Sequence, residues 1–298
     1  MTITSRVDAI TAIPTAYRRP DPPCPRTVKI ELTGRCNYRC GYCALAQRRS
    51  PATDMNWAFF ARVAEEMKAA GVEEVGVFYI GESFCSPDLL LRAVHHLKHD
   101  LGIPYVFLTT NGSLATPERV DALMAAGLDS LKWSLNAADP HQFRQIMGAK
   151  ESLFTQSLHN LQAARRIRDD AGHPCRIYAS SIQYDDEQPS RMKPLLAESV
   201  LPFVDEHYWL PLYSMAAVTT DREAELGYRP TAGNQGRMGA LRDPLPCWAL
   251  FTEGHVTSRG LLSACCFDAD GRFAMADLNT VPFMDGWHSA SFQQLREA

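Results

Sequence analysis

Three cysteines, Cys36, Cys40 and Cys43, lie within one stretch of eight residues, and this stretch constrains the chain more than any other. Three residues separate the first pair and two separate the second, so one tight loop can direct three thiolates toward the same soft metal centre. A closed structural zinc site needs a fourth Cys or His, but the loop has no histidine and aliphatic residues follow it. The pattern therefore favours an iron–sulfur cluster with one iron left open.

The residue before the last of these cysteines is Tyr42, so the stretch reads Cys-x-x-x-Cys-x-Tyr-Cys. This arrangement resembles the signature of radical S-adenosylmethionine (radical SAM) enzymes. The resemblance implies a [4Fe-4S] cluster whose open iron binds the amino and carboxylate groups of S-adenosylmethionine (AdoMet), with electron transfer giving a 5′-deoxyadenosyl radical. It also implies an external one-electron reductant of the flavodoxin or ferredoxin type. A zinc knuckle or a disulfide-forming loop is the alternative interpretation.

Composition defines the class of protein. With 298 residues, of which 46% are hydrophobic, the chain is long enough for one large α/β domain and a small appendage. Its 30 Lys and Arg against 34 Asp and Glu give no reason to expect a nucleic-acid partner. No signal-peptide pattern opens the chain, and no stretch approaches the roughly 18 apolar residues of a membrane span. We expect a cytoplasmic protein without a membrane partner, whose nine cysteines are metal ligands or catalytic thiols.

Strands and helices alternate along most of the chain. Strands are predicted at residues 27–33, 75–80, 105–109, 130–135, 176–183 and 206–212, and helices lie between them. This alternation predicts a parallel sheet, and six units are too few for a complete eight-unit barrel. The radical SAM resemblance implies an α/β fold, a partial (β/α)6 barrel over residues 27–213. Residues 1–26 contain five prolines, which predict an extended arm without a regular helix.

Polar residues follow the predicted strands at their carboxyl ends, where parallel α/β barrels carry their chemistry. Gly81 and Glu82 resemble the family's Gly-Gly-Glu-Pro segment, although Ile80 replaces the first Gly and Ser83 replaces the Pro. The resemblance implies that Glu82 and the backbone at Gly81 hold the AdoMet amino group. A solvated loop carboxylate is the alternative for Glu82.

The fourth predicted strand ends near Ser134 and Asn136. These residues resemble family positions that contact the carboxylate and ribose of AdoMet, and the family pattern places Tyr42 toward the adenine. Polar residues at strand ends also cap loops in many proteins, so that alternative stays open.

The alternation stops near residue 213, and residues 214–298 form a second region. Cys247, twelve residues, Gly260, four residues and Cys265 resemble the opening of the SPASM and twitch extensions of radical SAM enzymes, which carry auxiliary iron–sulfur clusters. The resemblance implies a shortened twitch-like extension with a second, auxiliary [4Fe-4S] cluster. Its ligands would come from Cys247 and Cys265 with help from Cys266, Cys24 or an outside ligand. In the other interpretation the cluster is lost and a cysteine is available for chemistry.

An acidic triplet, Asp185-Asp186-Glu187, follows the fifth predicted strand at the expected mouth of the barrel. Adjacent carboxylates repel one another unless they are solvated or paired with cations. A solvated loop would explain the triplet, but its position predicts a small cationic, aminoglycoside-like substrate held by ammonium–carboxylate contacts. Only residues 1–26 precede the first predicted strand, so we expect no leader-peptide recognition domain, which also favours a small molecule.

The resemblance extends to two kinds of aminoglycoside-pathway enzyme in antibiotic biosynthesis. A dehydrogenase of aminocyclitol alcohols needs an auxiliary cluster as electron acceptor, whereas an epimerase of the neomycin type needs a thiol that returns a hydrogen atom. The shortened ligand set favours the epimerase, with Cys247 as the hydrogen donor. The dehydrogenase, with Cys247 as a cluster ligand, is the alternative, and a non-enzymatic iron–sulfur or zinc protein is a third possibility because of Ile80 and Ser83.

Overall fold

The computed structural model describes residues 2–213, 215, 219–228 and 246–298. A nine-stranded sheet in the order β6-β5-β4-β3-β2-β1-β7-β8-β9 forms its centre. The strands are β1 Thr27–Ile30, β2 Glu74–Gly76, β3 Tyr105–Thr110, β4 Ser130–Ser134, β5 Arg176–Gln183, β6 Glu206–Pro211, β7 Glu253–Val256, β8 Leu261–Ser263 and β9 Ala274–Asp277. Strands β1 to β6 pair in parallel with their neighbours, so their carboxyl ends meet at one edge.

Helices connect these strands and cover the sheet. They are α1 Ile3–Thr11, α2 Trp57–Ala70, α3 Pro87–His95, α4 Pro117–Ala125, α5 Pro140–Met147, α6 Ser152–Ala171, α7 Gln188–Leu195, α8 Thr220–Glu225, α9 Phe283–Trp287 and α10 Ala290–Glu297. Local sequence signals set several of their ends. The Asn56 side chain accepts a hydrogen bond from the Phe59 amide at the start of α2, and Gly71 ends that helix at a φ of 94°. None of the helices in the described ranges is long and apolar enough to cross a membrane.

All six predicted strands are present in the predicted chain order. The second is shorter than predicted, because β2 ends at Gly76 and the chain then turns toward the site. A Cβ atom at Gly76 would lie 2.9 Å from the Phe107 ring, so the Phe107 side chain on β3 occupies the space beside this glycine. The alternation of strand and helix was therefore sufficient to predict the parallel sheet.

The C-terminal region continues this sheet. Strand β7 pairs in parallel with β1, with Lys29 opposite His255, and the β7–β8–β9 meander extends the sheet beyond it in antiparallel fashion. Gly260 lies in the turn between β7 and β8 at a φ of 87°. The resemblance of this region to a SPASM or twitch extension did not predict that its strands would join the edge of the barrel.

The prediction of an N-terminal arm without a helix was wrong for residues 3–11, which form α1. Because every proline of the arm lies at position 14 or later, none can interrupt this helix. Helix α1 covers the amino-terminal end of the barrel, where Arg6 pairs with Glu74 at 2.5 Å and lies over the Tyr105 ring. A cavity of about 120 Å³ remains between this helix and the strands.

The remainder of the arm contains one short 3₁₀ turn, Thr15–Tyr17, and its end is held by the C-terminal helices. The Trp287 indole donates to the Pro23 carbonyl at 3.0 Å, and the Arg296 guanidinium donates to the Pro20 carbonyl at 3.0 Å. Trp287 is fully buried in the core that the sheet and helices share. The two ends of the described chain therefore stabilise each other.

Candidate active site

The cysteine loop follows β1 and is supported by α5, a helix that we did not predict. The backbone amides of Arg39 and Gly41 donate to the carbonyls of Met147 and Ile146, at 2.9 and 2.8 Å, at the end of this helix. Gly148 ends α5 at a φ of 56°, and a Cβ atom there would lie only 2.7 Å from the Arg39 carbonyl oxygen. The close approach of helix and loop therefore requires glycine at this position.

The three thiols of this loop lie in a poorly solvated environment. Burial, followed by the nearby Glu82 carboxylate, raises the pKa of Cys36 to about 12. Burial also raises the pKa of Cys40 well above its usual value and raises that of Cys43, although Arg48 opposes the shift at Cys43. Buried thiols of this kind become thiolates only beside a strong positive charge, which an iron–sulfur cluster supplies.

The local geometry also fits a cluster. The Tyr38 amide points at the Cys36 sulfur, at 3.5 Å, and donates the N–H···S contact that a bound thiolate accepts. No group of three or more His, Cys, Asp or Glu side chains in the described ranges could hold a metal ion. A cubane binds each thiolate through a different iron, so its cysteine ligands need not converge on one point.

A buried ion pair, Glu31 with Arg48, lies directly behind the loop. Their nitrogen and oxygen are 2.7 Å apart, and the side chains are 1% and 7% exposed. Arg48 also donates to the carbonyls of Gly34 and Ala269, while Glu31 accepts from the backbone amide and hydroxyl of Ser258. This pair therefore joins β1, the cysteine loop and the C-terminal region. Sequence analysis missed both residues, although a carboxylate within a buried strand was a signal.

Glu82 is 3% exposed at the end of the loop that follows β2. Its carboxylate accepts from the Thr110 hydroxyl at 3.0 Å and from the amides of Asn111 and Phe84 at 2.8 and 3.1 Å. Burial raises its pKa, and these donors oppose the shift. Three of its roughly four acceptor positions are thus used by the protein itself, so Glu82 is not the solvated loop carboxylate that we had considered.

Gly81 packs against the backbone that enters the cysteine loop. A Cβ atom at this position would overlap the Thr33 carbonyl oxygen and lie 2.9 Å from the Arg35 carbonyl oxygen. Its amide donates to Glu31 at 3.2 Å. The loops after β1 and β2 therefore meet at a point where only glycine fits.

Tyr42 and Asn136, which are 94 positions apart, meet in the structure. The Asn136 amide donates to the Tyr42 hydroxyl at 2.7 Å, and its oxygen accepts from the Ile182 amide at 3.1 Å. Ser134 is half-buried at the end of β4. The Tyr184 ring lies 6.0 Å from that of Tyr42, and its buried hydroxyl has no hydrogen-bond partner among the described residues. This orphaned hydroxyl fits a pocket that holds a polar cofactor.

The C-terminal cysteines form a second group. Burial raises the pKa of Cys265 to about 11, and the nearby Cys247 thiol adds to the shift. Cys247 and Cys265 likewise raise the pKa of Cys266, after burial as the main cause. The Phe267 amide points at the Cys265 sulfur at 3.4 Å, which repeats the geometry at Cys36. The three thiols therefore form a donor set that fits an auxiliary cluster.

Cys24, which we had considered as a further ligand, lies elsewhere. Its sulfur is 3.7 Å from the position that a Cβ atom would take at Gly71, and its charged neighbour is Glu73. The arm runs past the end of α2 at Gly71 and thereby places Cys24 there.

A polar network connects the auxiliary cysteines with the barrel interior. Lys29 donates to Glu253 at 2.9 Å, and His255 contacts the same carboxylate oxygen at 2.8 Å. Burial would raise the pKa of Glu253, but Lys29 and then His255 lower it to about 2. The Tyr79 hydroxyl donates to the Cys265 carbonyl, and its ring lies 5.3 Å from that of His255.

The acidic triplet lies at the start of α7, as predicted from its place after β5, but Asp185 is already engaged. It contacts Arg191 at 2.5 Å and accepts from the amides of Glu187 and Gln188 at 3.0 and 2.8 Å. Partial burial raises its pKa, but Arg191 and these amides bring it below its usual value. Asp186 and Glu187 are exposed, and the Glu187 carboxylate lies 3.3 Å from the Arg191 guanidinium. The prediction that all three carboxylates face a substrate therefore fails at Asp185, because Arg191 and two backbone amides already hold this carboxylate.

Family models match both parts of the chain. The radical SAM superfamily model matches residues 30–174, and the SPASM iron–sulfur cluster-binding domain matches residues 247–298. The chain carries a radical SAM domain followed by a SPASM domain. The predicted α/β radical SAM fold with a C-terminal extension is confirmed. The predicted cofactors, a [4Fe-4S] cluster with AdoMet and an auxiliary iron–sulfur cluster, are confirmed as well.

Relatives of known function have several activities. A GTP 3′,8-cyclase from Synechococcus elongatus is 28% identical over 81% of this chain and 80% of its own length. A PqqA peptide cyclase from Ruegeria pomeroyi is 37% identical over 43% of this chain and 33% of its own length. The chain spans less than half the length of several of these curated relatives. Radical SAM chemistry is therefore supported, while the epimerase and dehydrogenase classes are not confirmed.

Two solved structures show the same fold. Streptococcus suis SuiB bound to its precursor peptide SuiA aligns with a TM-score of 0.68 at 17% identity, covering 93% of this chain and 67% of that one. BtrN in complex with AdoMet and 2-DOIA aligns with a TM-score of 0.53 at 16% identity, covering 91% and 85%. Enzymes with this domain act on small molecules or peptides and need a reductant.

Proposed function

We propose that the protein is a radical SAM epimerase that acts on a small cationic, aminoglycoside-like substrate. When bound, the cluster of Cys36, Cys40 and Cys43 and AdoMet supply a radical that removes a carbon-bound hydrogen from the substrate. Cys247 then returns a hydrogen atom to the opposite face of the same carbon. The observation that carries the proposal is the position of Cys247 beside Cys265 and Cys266, next to the barrel.

The hydrogen balance of this reaction requires one thiol. The S–H bond of Cys247 breaks, a C–H bond forms on the substrate, and Cys247 is left as a thiyl radical. One electron from the external reductant and one proton from solvent restore the thiol. A thiol suits this role because its S–H bond is weak. Cys247 belongs to the C-terminal cysteine group, whose member Cys266 interacts electrostatically with Lys29 of β1.

For substrate binding we propose Asp186 and Glu187. They are exposed at the amino end of α7, which follows the carboxyl end of β5 on the side where parallel barrels bind ligands. Charge-assisted contacts of carboxylates with an ammonium group are stronger than neutral hydrogen bonds. For AdoMet we propose Tyr42, Gly81, Glu82, Ser134 and Asn136, which line the loops after β1, β2 and β4.

The alternative is a dehydrogenase that oxidises an aminocyclitol alcohol. It is favoured by the proximity of Cys247 to the other two C-terminal thiols, which suits a cluster ligand as well as a hydrogen donor. In that reaction the substrate radical would pass its electron to the auxiliary cluster and a proton to a base.

Heavy water distinguishes the two reactions. The reduced, reconstituted protein is incubated in D₂O with AdoMet and a panel of aminoglycosides and aminocyclitols, and recovered substrate is analysed by mass spectrometry. Gain of one deuterium at carbon without oxidation is expected for the epimerase, because the thiol exchanges with solvent. Loss of two hydrogens would replace our proposal with the dehydrogenase.

The Cys247→Ala variant supplies a second test. It is expected to form 5′-deoxyadenosine with substrate but no inverted product, and Cys24→Ala is the matched control because its thiol lies away from this group. Unchanged epimerisation in Cys247→Ala would exclude Cys247 as the donor. Loss of auxiliary iron from that variant alone would identify Cys247 as a ligand and favour the dehydrogenase.

A further inference from the structure

A cleft of about 680 Å³ opens on the outer side of the cysteine loop. We propose that this basic cleft is the docking face for a small acidic protein that delivers single electrons to the cluster. Its wall contains four arginines, Arg35, Arg39, Arg48 and Arg119, together with the cluster cysteine Cys36. The inference rests on the proposed radical SAM activity and specifies where its reductant binds.

The charge of the basic cleft is opposite to that of the chain. The whole sequence has more acidic than basic residues, 34 against 30, but the described residues that line this cleft include no Asp or Glu. A cleft lined by one sign of charge concentrates its field and attracts a partner of the opposite sign. The charge of the basic cleft therefore favours an acidic partner.

Two of the four arginines keep a positive charge without a carboxylate partner in the described part of the chain. Arg48 is neutralised by Glu31, and Arg35 pairs with Asp54 at 2.7 Å. Arg39, by contrast, donates to the carbonyls of Cys36 and Tyr38, and Arg119 donates to that of Leu114 at 2.9 Å. Arg39 and Arg119 therefore supply about two uncompensated charges beside the loop.

The position of Cys36 gives the basic cleft its function. Cys36 lies in the wall, so the basic cleft reaches one of the three proposed cluster ligands. Tyr42 and Asn136, which we assign to AdoMet, are not part of this wall. A partner can therefore approach the cluster from outside while the cofactor and substrate occupy the barrel.

The step at this face moves one electron and no atoms. The reduced carrier loses one electron, the cluster gains it, and the oxidised carrier dissociates. Weak electron-transfer complexes have small interfaces and depend on charge for their rate of association. A cleft rimmed by arginines, rather than a broad apolar face, matches that kind of complex.

The test uses a flavodoxin of negative net charge and the Arg119→Glu variant of the reconstituted protein. Arg119 is the third residue of α4, where a Glu is favourable for the helix dipole, so the variant should fold. Arg166→Glu is the matched control, because Arg166 is exposed on α6 outside the basic cleft. Binding of oxidised flavodoxin is measured by surface plasmon resonance, and cluster reduction by electron paramagnetic resonance.

Arg119→Glu is expected to weaken flavodoxin binding about tenfold at low ionic strength, which corresponds to about 1.4 kcal/mol, because the change reverses one charge near the partner. The loss should shrink at about 300 mM salt, and reduction by dithionite, which needs no docking, should be unchanged. Arg166→Glu should bind flavodoxin within twofold of the parent protein.

Equal binding by all three proteins, or equal weakening in both variants, would overturn the basic cleft as the docking face. If Arg119→Glu lost cluster iron, Arg119→Ala would replace it, because that change removes the charge without adding another. Failure of dithionite to drive AdoMet cleavage in the parent protein would instead contradict the radical SAM activity, so the two failures are distinguishable.

Discussion

The buried pair of Glu31 and Arg48 gives the sharpest test of how this site is held together. In Glu31→Gln the neutral amide cannot balance the charge of the Arg48 guanidinium, which is 7% exposed. The new NH₂ group also cannot accept the hydrogen bonds that the carboxylate accepts from the Gly81 amide and the Ser258 hydroxyl. Removing one partner of a buried ion pair lowers the stability of a protein by about 3–5 kcal/mol. A typical protein has a total stability of about 5–15 kcal/mol, so this one atom change should remove a large part of it.

The assay is thermal unfolding of the reconstituted protein under anaerobic conditions, followed by circular dichroism. At roughly 2 °C per kcal/mol for a chain of this size, Glu31→Gln should lower the midpoint by about 5–10 °C. The cysteine loop should also bind less iron, because the pair connects Gly34 with the C-terminal region. Asp21→Asn is the matched control, since its partner Arg19 is 55% exposed and exposed ion pairs contribute little to stability.

The double variant Glu31→Gln, Arg48→Met separates charge from packing. Removing both charges should restore part of the lost stability, because no unpaired charge then remains buried. A Glu31→Gln midpoint equal to that of Asp21→Asn would refute the reasoning. A double variant that is less stable than the sum of the two single changes would also count against it.

Three further changes test other parts of the site. Gly81→Ala should lose cluster iron, because the new Cβ would overlap backbone, whereas Gly254→Ala, with its nearest contact at 3.4 Å, should retain it; equal iron contents would contradict the steric argument. Tyr42→Phe leaves the buried amide of Asn136 without its 2.7 Å acceptor, so it should lower stability by about 1–3 kcal/mol and weaken AdoMet binding, as measured by calorimetry. The pKa of Glu253 is depressed from 4.5 to about 2, so its stabilisation is complete above pH 4.5 and lost as pH falls toward 2; unfolding midpoints of the apoprotein that are constant over this range would exclude such a contribution.

Local patterns predicted most of the secondary structure. The six strands of the barrel follow from runs of β-branched and apolar residues between helical patterns. The ends of α2 follow from the Asn56 cap and from Gly71, and α4 begins at Pro117. The prediction missed helix α1 because it extended the helix-breaking effect of the prolines, which begin at position 14, to the whole arm. Helix α5 was missed although Asp139-Pro140 is a typical helix start.

In the candidate active site, too, some features could be predicted from the sequence and others could not. The parallel sheet places Tyr42 and Asn136 at the same edge, as could be expected from the sequence, but β2 and β3 lie between their strands, so only the tertiary structure shows that they are in contact. The engagement of Asp185 with Arg191 could not be expected from the sequence, because it depends on how the first turn of α7 begins.

By itself, the sequence determined the chemistry of the cysteine loop, since three thiols at that spacing can only be directed together by one short turn. It also determined the parallel α/β architecture, because periodicity is a local property of the chain. Only the tertiary structure decided that β7 pairs with β1 and that Glu31 meets Arg48 and Ser258. The β1–β7 pairing and the Glu31–Ser258 contact join segments more than 200 positions apart, whereas Glu31 and Arg48 are 17 positions apart. The strands pair because burying the apolar edge of the barrel is favourable, and the two charges, once buried, are stable only as a pair.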